Sequence, residues 1–202
     1  SNQQVTIVDP KYSGLNRKYL CEMPEDTCYY DLIFVCVPTP MGADGDCNVS
    51  ILDQVMGNIR PCPNNPEQLI VNISTVLPGT LRPLIEKYGL QEQFIYNPYL
   101  IAMGTVAEDF LNPDLLMIGN YEGNENENVK KLIDFYSTIV KIEKHTNRPY
   151  IMVGTYEDTE CCKIFHNTYI SAKVGIANMI QDVTHKIGNA DPDNICKALQ
   201  HA

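Results

Sequence analysis

The feature that most constrains the fold is an alternation of short apolar runs with segments of helical periodicity. Residues 32–37 and 69–73 are nearly continuous apolar runs, as expected of strands buried on both faces. Apolar residues at helical spacing follow each run, and Gly89 is placed to end the second helix. Such alternation predicts βαβ units, and so an α/β fold with a Rossmann-like, mainly parallel sheet. Further strands are predicted at 5–8, 94–96, 115–118 and 139–142. The helical segments are predicted at 51–59 and 81–85, after the two runs, and at 129–136.

A long helix is predicted after this α/β part of the chain. Thr155 and Asp158 have the spacing of a capping box, and Gly188 is placed to end the helix. Asp191 and Pro192 then form a suitable start for a short helix. We expect a domain over residues 3–153 and a helical region over 154–202. The long helix carries one apolar stripe, which predicts a homodimer: Cys162, Phe165, Tyr169, Ala172, Ile176, Ile180, Val183 and Ile187.

Composition narrows the classes of partner. The 15 Lys and Arg residues against 25 Asp and Glu give a net charge of −10, which disfavours a nucleic-acid partner. No apolar run is long enough to predict a membrane span. The eight cysteines contain no C-x-x-C pair, and Cys36 lies in a strand pattern typical of a small core residue. We therefore expect free thiols, a cytoplasmic protein and no metal site.

Ligands of parallel α/β sheets bind beyond the carboxyl ends of the strands. The residues that directly follow the predicted strands are therefore the candidates for a binding site. They are Asp9, Pro38 to Pro40, Ser74 with Thr75, and Asn97 with Pro98.

Four segments together resemble the UDP-glucose/GDP-mannose dehydrogenase family. Residues 31–40, DLIFVCVPTP, are similar to the family strand that ends in V-P-T-P, and residues 74–80, STVLPGT, are similar to its S-T-V-x-P-G-T turn. Residues 97–114 resemble its N-P-E-F-L-x-E-G, D-F and N-P-D series in order and spacing. Lys163 and Asn167 match the K-x-x-x-N that opens its long central helix.

The resemblance implies an NAD-dependent enzyme that oxidises the C6 alcohol of a nucleotide sugar, of the UDP-glucose or GDP-mannose type, to the acid. Asp9 would hold the adenosine ribose, and Thr75 would help to position a catalytic water. Lys163 and Asn167 would stabilise negative charge on oxygen. Each of these residues also has a purely structural alternative. Asp9 could be a turn residue, residues 38–40 a plain strand-ending turn, Lys163 a surface residue and Asn167 a helix-packing residue. The expected cofactor-binding residues are Asp9, Val37, Pro38, Thr39, Ser74 and Thr75, and the expected catalytic residues are Thr75, Lys163 and Asn167.

The sequence also departs from the family pattern. No G-x-G-x-x-G loop precedes Val5, and the two family glutamates correspond to Tyr99 and Met103. None of the cysteines lies in the G-F-G-G-x-C loop that carries the family nucleophile. We therefore expect either part of a longer enzyme or a diverged relative that has lost catalysis.

Two other functions stay open. One is a non-catalytic module for nucleotide binding or dimeric assembly. The other is a long-helix dehydrogenase of the 6-phosphogluconate or 3-hydroxyacid type, which residues 74–80 and the Asn-Pro-Asp spacing disfavour.

Overall fold

The computed structural model describes residues 4–9, 26–43, 45–59, 65–102, 104–140 and 149–201. These residues form two compact units, Ser1–Cys161 and Cys162–Ala202, so that the units divide inside the long helix. The first turn of that helix packs in the first unit, because Tyr156, Thr159 and Glu160 are fully buried there.

A five-stranded sheet forms the centre of the first unit. Its spatial order follows the chain order from β1 to β5. All neighbouring strands pair in parallel except β3 and β4, which are antiparallel, so the prediction of a mainly parallel sheet is confirmed. The carboxyl ends of the first three strands therefore meet at one edge. The strands are β1 (Leu32–Val35), β2 (Leu69–Asn72), β3 (Phe94–Tyr96), β4 (Leu115–Asn120) and β5 (Tyr150–Thr155).

Helices cover the sheet and enclose two apolar clusters. In one cluster, Leu52 and Met56 of the first helix pack with Ile85 of the second and with β3. In the other, Leu132 and Tyr136 of the fourth helix pack with alternate residues of β2, β3 and β4. Gly89 ends the second helix in the left-handed conformation, as predicted. The helices are α1 (Ser50–Asn58), α2 (Leu81–Tyr88), α3 (Val106–Leu111) and α4 (Glu127–Ser137).

Three predictions about strands are wrong. Residues 5–8 form no strand, and Val5 and Ile7 are exposed. Strand β1 is not buried on both faces, because the side chain of Phe34 is 36% exposed. Cys36 is likewise exposed rather than part of the core. An apolar run in the sequence shows that the side chains are apolar, whereas their burial depends on which other elements pack against them in the fold.

The strand predicted at 139–142 is also wrong in its described part. The amides of Ile139 and Val140 donate to the Tyr136 carbonyl at 2.9 and 2.7 Å, so the helical turn of α4 continues through them. Val140 is buried in the core as a helix-terminal residue. Residues 141–142 lie outside the described residues. The strand that follows α4 is β5, which the sequence pattern did not predict.

The predicted long helix is confirmed as α5, which spans Tyr156–Ile187. Its capping box forms as expected, since the Thr155 amide donates to the Asp158 carboxylate at 3.0 Å and the Asp158 amide donates to the Thr155 hydroxyl at 3.1 Å. In the second unit, Gly188 has a positive φ directly after α5. Asp191 then accepts a hydrogen bond from the Asp193 amide and caps α6 (Pro192–Leu199).

Neither a membrane-spanning helix nor a metal cluster is found in the described part of the chain. No helix there is both long and apolar enough to cross a bilayer. The same residues hold no group of three or more His, Cys, Asp or Glu side chains arranged to bind a metal ion.

Candidate functional site at the carboxyl ends of the parallel strands

Ser74 joins the carboxyl ends of β1 and β2. Its hydroxyl accepts a hydrogen bond from the Val37 amide at 2.8 Å, and Ser74 is only 7% exposed. The Ser74 hydroxyl is therefore buried between the two chain segments and does not face solvent. Ser74 instead fixes the position of the backbone that would line a ligand.

Thr39 and Thr75 form a second connection between the same two segments. The Thr39 hydroxyl donates to the Thr75 carbonyl at 2.5 Å, and the Cys47 thiol donates to the Thr39 carbonyl at 3.4 Å. The Thr75 hydroxyl itself makes no hydrogen bond to another described residue, and Thr75 is half-buried. The Thr75 hydroxyl is therefore not engaged in holding the two segments together.

Two buried asparagines, Asn72 and Asn97, hold the backbone at the ends of β2 and β3. The side chain of Asn72 accepts from the Ser74 amide at 3.1 Å and donates to the Ser74 carbonyl at 3.3 Å. Asn97 donates through its side chain to the Met117 carbonyl at 2.7 Å, and its oxygen accepts from the Tyr136 hydroxyl. Both side chains are fully buried and hydrogen-bonded, so they hold the backbone and do not face solvent.

Glu160 contacts the turn after β2, and the sequence analysis did not predict this contact. Its fully buried carboxylate accepts hydrogen bonds from the amides of Gly79 and Leu81 at 2.6 and 2.8 Å, at the start of α2. Burial raises the pKa of this carboxyl above its usual value, while the two amide hydrogen bonds act in the opposite direction. Glu160 lies four residues after the buried Tyr156, so both side chains lie on one face of the helix, but the predicted apolar stripe of α5 contains neither residue.

Tyr99 provides packing at the position where the resemblance predicts a glutamate. Its ring stacks on that of Phe110 with the centroids 4.7 Å apart, and its hydroxyl donates to the Phe110 carbonyl at 3.4 Å. Tyr99 is 7% exposed, and burial raises the pKa of its phenol to about 12. The side chain therefore stays neutral and cannot serve as a general base near neutral pH. Met103 lies outside the described residues.

The other predicted site residues are Asp9, Pro38, Lys163 and Asn167. Asp9 is described and half-buried, but the strand that was expected to end beside it does not form. Lys163 and Asn167 belong to the second unit, where they lie one turn apart on α5. Burial lowers the pKa of the Lys163 ammonium, and Asn167 is exposed. Pro38 is exposed on the backbone segment that follows β1.

A surface pocket of about 310 Å³ lies elsewhere in the first unit. It is lined by the start of β3 and the end of β4, which run in opposite directions. The pocket is therefore at the opposite edge of the sheet from Ser74 and Thr75. Its lining includes Glu92, Glu122 and Glu127, so it is unsuited to a phosphate-containing ligand.

Comparison with known proteins places these features in a family context. A family model for the "UDP-glucose/GDP-mannose dehydrogenase family, NAD binding domain" matches residues 8–140, which include β1 to β4 and the turns after β1 and β2.

Individual relatives give the same picture. The UDP-glucose 6-dehydrogenase AglM of Haloferax volcanii is 25% identical, with 92% of this chain and 46% of the relative covered. The uncharacterized protein MJ1054 of Methanocaldococcus jannaschii is 27% identical, with 84% of this chain and 18% of the relative covered. The crystal structure of GDP-mannose dehydrogenase from Pseudomonas aeruginosa has a TM-score of 0.65 at 23% identity, with 93% of this chain and 43% of that chain covered, and it shows the fold. The chain thus spans less than half the length of each of these relatives.

Proposed function

The chain belongs to the UDP-glucose/GDP-mannose dehydrogenase family, and we propose that it is the NAD-binding part of an enzyme that oxidises the C6 alcohol of a nucleotide sugar to the acid. The observation that carries the proposal is that the match to the family's NAD binding domain includes the strand ends that Ser74 and Thr39 connect. The substrate that we propose is a nucleotide sugar of the UDP-glucose or GDP-mannose type.

The chemistry of the strand ends fits the neutral groups of NAD. Val37, Pro38 and Thr39 present backbone at the edge of the sheet, and Thr75 presents a hydroxyl that has no other described partner. Uncharged donors and acceptors of this kind suit a ribose or a carboxamide. When NAD is bound, it supplies the acceptor for the hydride. We propose that these residues orient it, that Ser74 fixes their backbone, and that Asp9 binds the adenosine ribose.

Thr75, Lys163 and Asn167 are the proposed catalytic residues. A hydroxyl at Thr75 can orient a water molecule for attack on the oxidised carbon. An ammonium and an amide one helical turn apart on α5 can stabilise negative charge that develops on the substrate oxygen. The lowered pKa of Lys163 indicates an ammonium that is partly removed from solvent, where such stabilisation is stronger than in water.

The second candidate function is a catalytically inactive relative that binds a nucleotide or acts as a dimeric assembly module. The aromatic stack of Tyr99 on Phe110 favours it, because this side chain has no carboxylate to work with water. The inactive module and the enzyme part differ in hydride transfer rather than in fold.

We propose a homodimer through α5 and a cytoplasmic location. The apolar residues Phe165, Tyr169, Ile176, Val183 and Ile187 are each more than half exposed along one helix. A helix with such a stripe is stabilised by a partner surface, and a second copy supplies one by symmetry. Free cysteines among the described residues, including Cys47 and Cys196, suit a reducing compartment.

Titration calorimetry with NAD, UDP-glucose and GDP-mannose tests the proposal. The proposal is supported if the wild type binds NAD with micromolar affinity and Thr75→Val binds it more weakly, because the NAD site would then lie at the strand ends. Absence of binding at millimolar NAD, together with a stable dimer in light scattering, favours the assembly module. Hydride transfer, followed by NADH absorbance when a nucleotide sugar is added to the NAD-bound protein, separates the enzyme from the inactive nucleotide-binding relative.

A further inference from the structure

We propose that Glu160 is a positioning residue that holds the turn over residues 74–80 and, through it, the Thr75 hydroxyl. This inference rests on the proposed function, because it assigns to Glu160 a role in NAD binding at the strand ends. Glu160 lies on α5, far from the turn in sequence, and contacts it at Gly79 and Leu81.

The start of α2 lacks a local cap. The hydroxyl of Thr80, the residue at the cap position, donates to the Leu77 carbonyl at 2.6 Å and makes no capping hydrogen bond. The first amides of a helix need an acceptor, and the positive end of the helix dipole favours an anion there. Glu160 provides both from the neighbouring helix, with one carboxylate oxygen on the Gly79 amide and the other on the Leu81 amide.

The turn is consequently anchored at both ends. Asn72 fixes its beginning through two hydrogen bonds to the backbone of Ser74. Glu160 fixes its end at Gly79, which has a φ of +83°. Thr75 lies between the two anchors with a hydroxyl that makes no hydrogen bond to a described residue. Loss of one anchor lets the turn shift, and a shift of about 1 Å in a positioning group is enough to weaken its interaction with a ligand.

The charge of Glu160 is balanced by amides rather than by a cation. The titratable groups that face it are Glu157 on α5 and Tyr96 on β3, and Cys47 in turn faces Tyr96. Arg82 of α2, the nearby cation, binds both oxygens of Glu157 at 2.5 and 2.9 Å instead. Protonation of Glu160 therefore removes an acceptor and the anion at the helix start.

The two glutamates on α5 provide a matched pair of variants. Glu160→Gln retains one acceptor oxygen but turns an amide group toward the second backbone N–H, so we expect NAD affinity about tenfold weaker in calorimetry. Glu157→Gln makes the same chemical change three residues earlier and removes the partly exposed ion pair with Arg82, while the carboxylate contacts at Gly79 and Leu81 remain. We expect NAD affinity within about twofold of the wild type for this control.

A pH profile distinguishes positioning from a purely structural role. We expect wild-type NAD affinity to fall on acidification, as Glu160 takes up a proton at its raised pKa, and the affinity of Glu160→Gln to change much less. The effect of Glu160 on folding stability has the opposite pH dependence. A carboxyl whose pKa is raised in the folded chain contributes stability at low pH, and this contribution is lost as the pH rises through that pKa. Loss of folding stability through Glu160 therefore cannot explain an NAD affinity that falls on acidification.

The outcomes are separable. If the wild type binds NAD and Glu160→Gln binds it equally well with the same pH profile, Glu160 is only a helix cap and the inference is wrong. If the wild type does not bind NAD, the proposed function fails and this inference fails with it. If Glu160→Gln does not fold, Glu160→Asp takes its place. Its carboxylate is one methylene shorter and cannot reach both amides, so unchanged affinity in a folded Asp variant also overturns the inference.

Discussion

The Thr39 hydroxyl donates a hydrogen bond to the Thr75 carbonyl at 2.5 Å, which links the segment after β1 to the turn after β2. The two residues are 36 positions apart in sequence, so the link is tertiary. It sets the spacing of the two backbone segments that we propose to contact NAD. The Cys47 thiol adds a contact to the Thr39 carbonyl from the loop that follows.

Thr39→Val removes this link and should lower both stability and NAD affinity. The Thr75 carbonyl loses a part-buried hydrogen bond, which costs about 1 kcal/mol of the free energy of unfolding. Denaturant unfolding measures the stability, and calorimetry measures the affinity. Thr39→Ser keeps the hydroxyl and is the control, with the expectation that it resembles the wild type. Equal unfolding free energies for the Val and Ser variants would show that the link does not contribute.

Thr75→Val should separate binding from stability. Because the Thr75 hydroxyl makes no hydrogen bond to a described residue, its replacement by a methyl group should leave the unfolding free energy within about 0.5 kcal/mol of the wild type. We expect NAD affinity to fall about five- to tenfold in calorimetry, the loss of one neutral hydrogen bond. Thr75→Ser should retain most of it. If Thr75→Val binds NAD as tightly as the wild type, the Thr75 hydroxyl does not contact NAD.

Tyr99→Glu restores the residue type of the family but should not restore its chemistry. The Tyr99 ring is 7% exposed and stacked on Phe110, so a glutamate there would be buried among aromatic rings. We expect a loss of about 3 kcal/mol or more in the free energy of unfolding, from the lost ring and the buried polar group. Tyr99→Phe keeps the stack and should cost about 1 kcal/mol or less. A stable Tyr99→Glu variant would contradict this packing role.

The sequence was sufficient for contacts between residues that are close along the chain. The apolar runs of β2 and β3, the left-handed Gly89 and the reciprocal bonds of Thr155 and Asp158 all follow from local patterns. Glu160 was not predictable in the same way, since its partner Leu81 lies 79 positions away and the pairing depends on how two helices pack. Burial of Cys36 was mispredicted for a related reason, because Cys36 continues the apolar run of β1 in sequence but lies just beyond Val35, the last residue of the strand.

The capping box at the start of α5 allows a quantitative test of local structure. Asp158→Ala removes the acceptor for the Thr155 amide, while the Thr155 hydroxyl still accepts from the amide of residue 158. We expect a cost of about 0.5–2 kcal/mol in the free energy of unfolding. The double variant with Thr155→Ala should cost less than the sum of the single variants, because the two bonds depend on one backbone geometry. Strict additivity in denaturant unfolding would show that the two bonds act independently.

Ile176→Asp tests the proposed dimer. Ile176 is 52% exposed within a stripe of exposed apolar side chains on α5, so in a single copy an aspartate there should cost little stability. In a dimer through this face, it would bury an unpaired charge in an apolar interface, a cost of several kcal/mol that should produce monomers in light scattering. Ser171→Asp introduces the same charge on the same helix about 140° around its axis, and this control should leave the dimer intact. If Ile176→Asp is as dimeric as the wild type, or if the wild type is already monomeric, the stripe is not a homodimer interface.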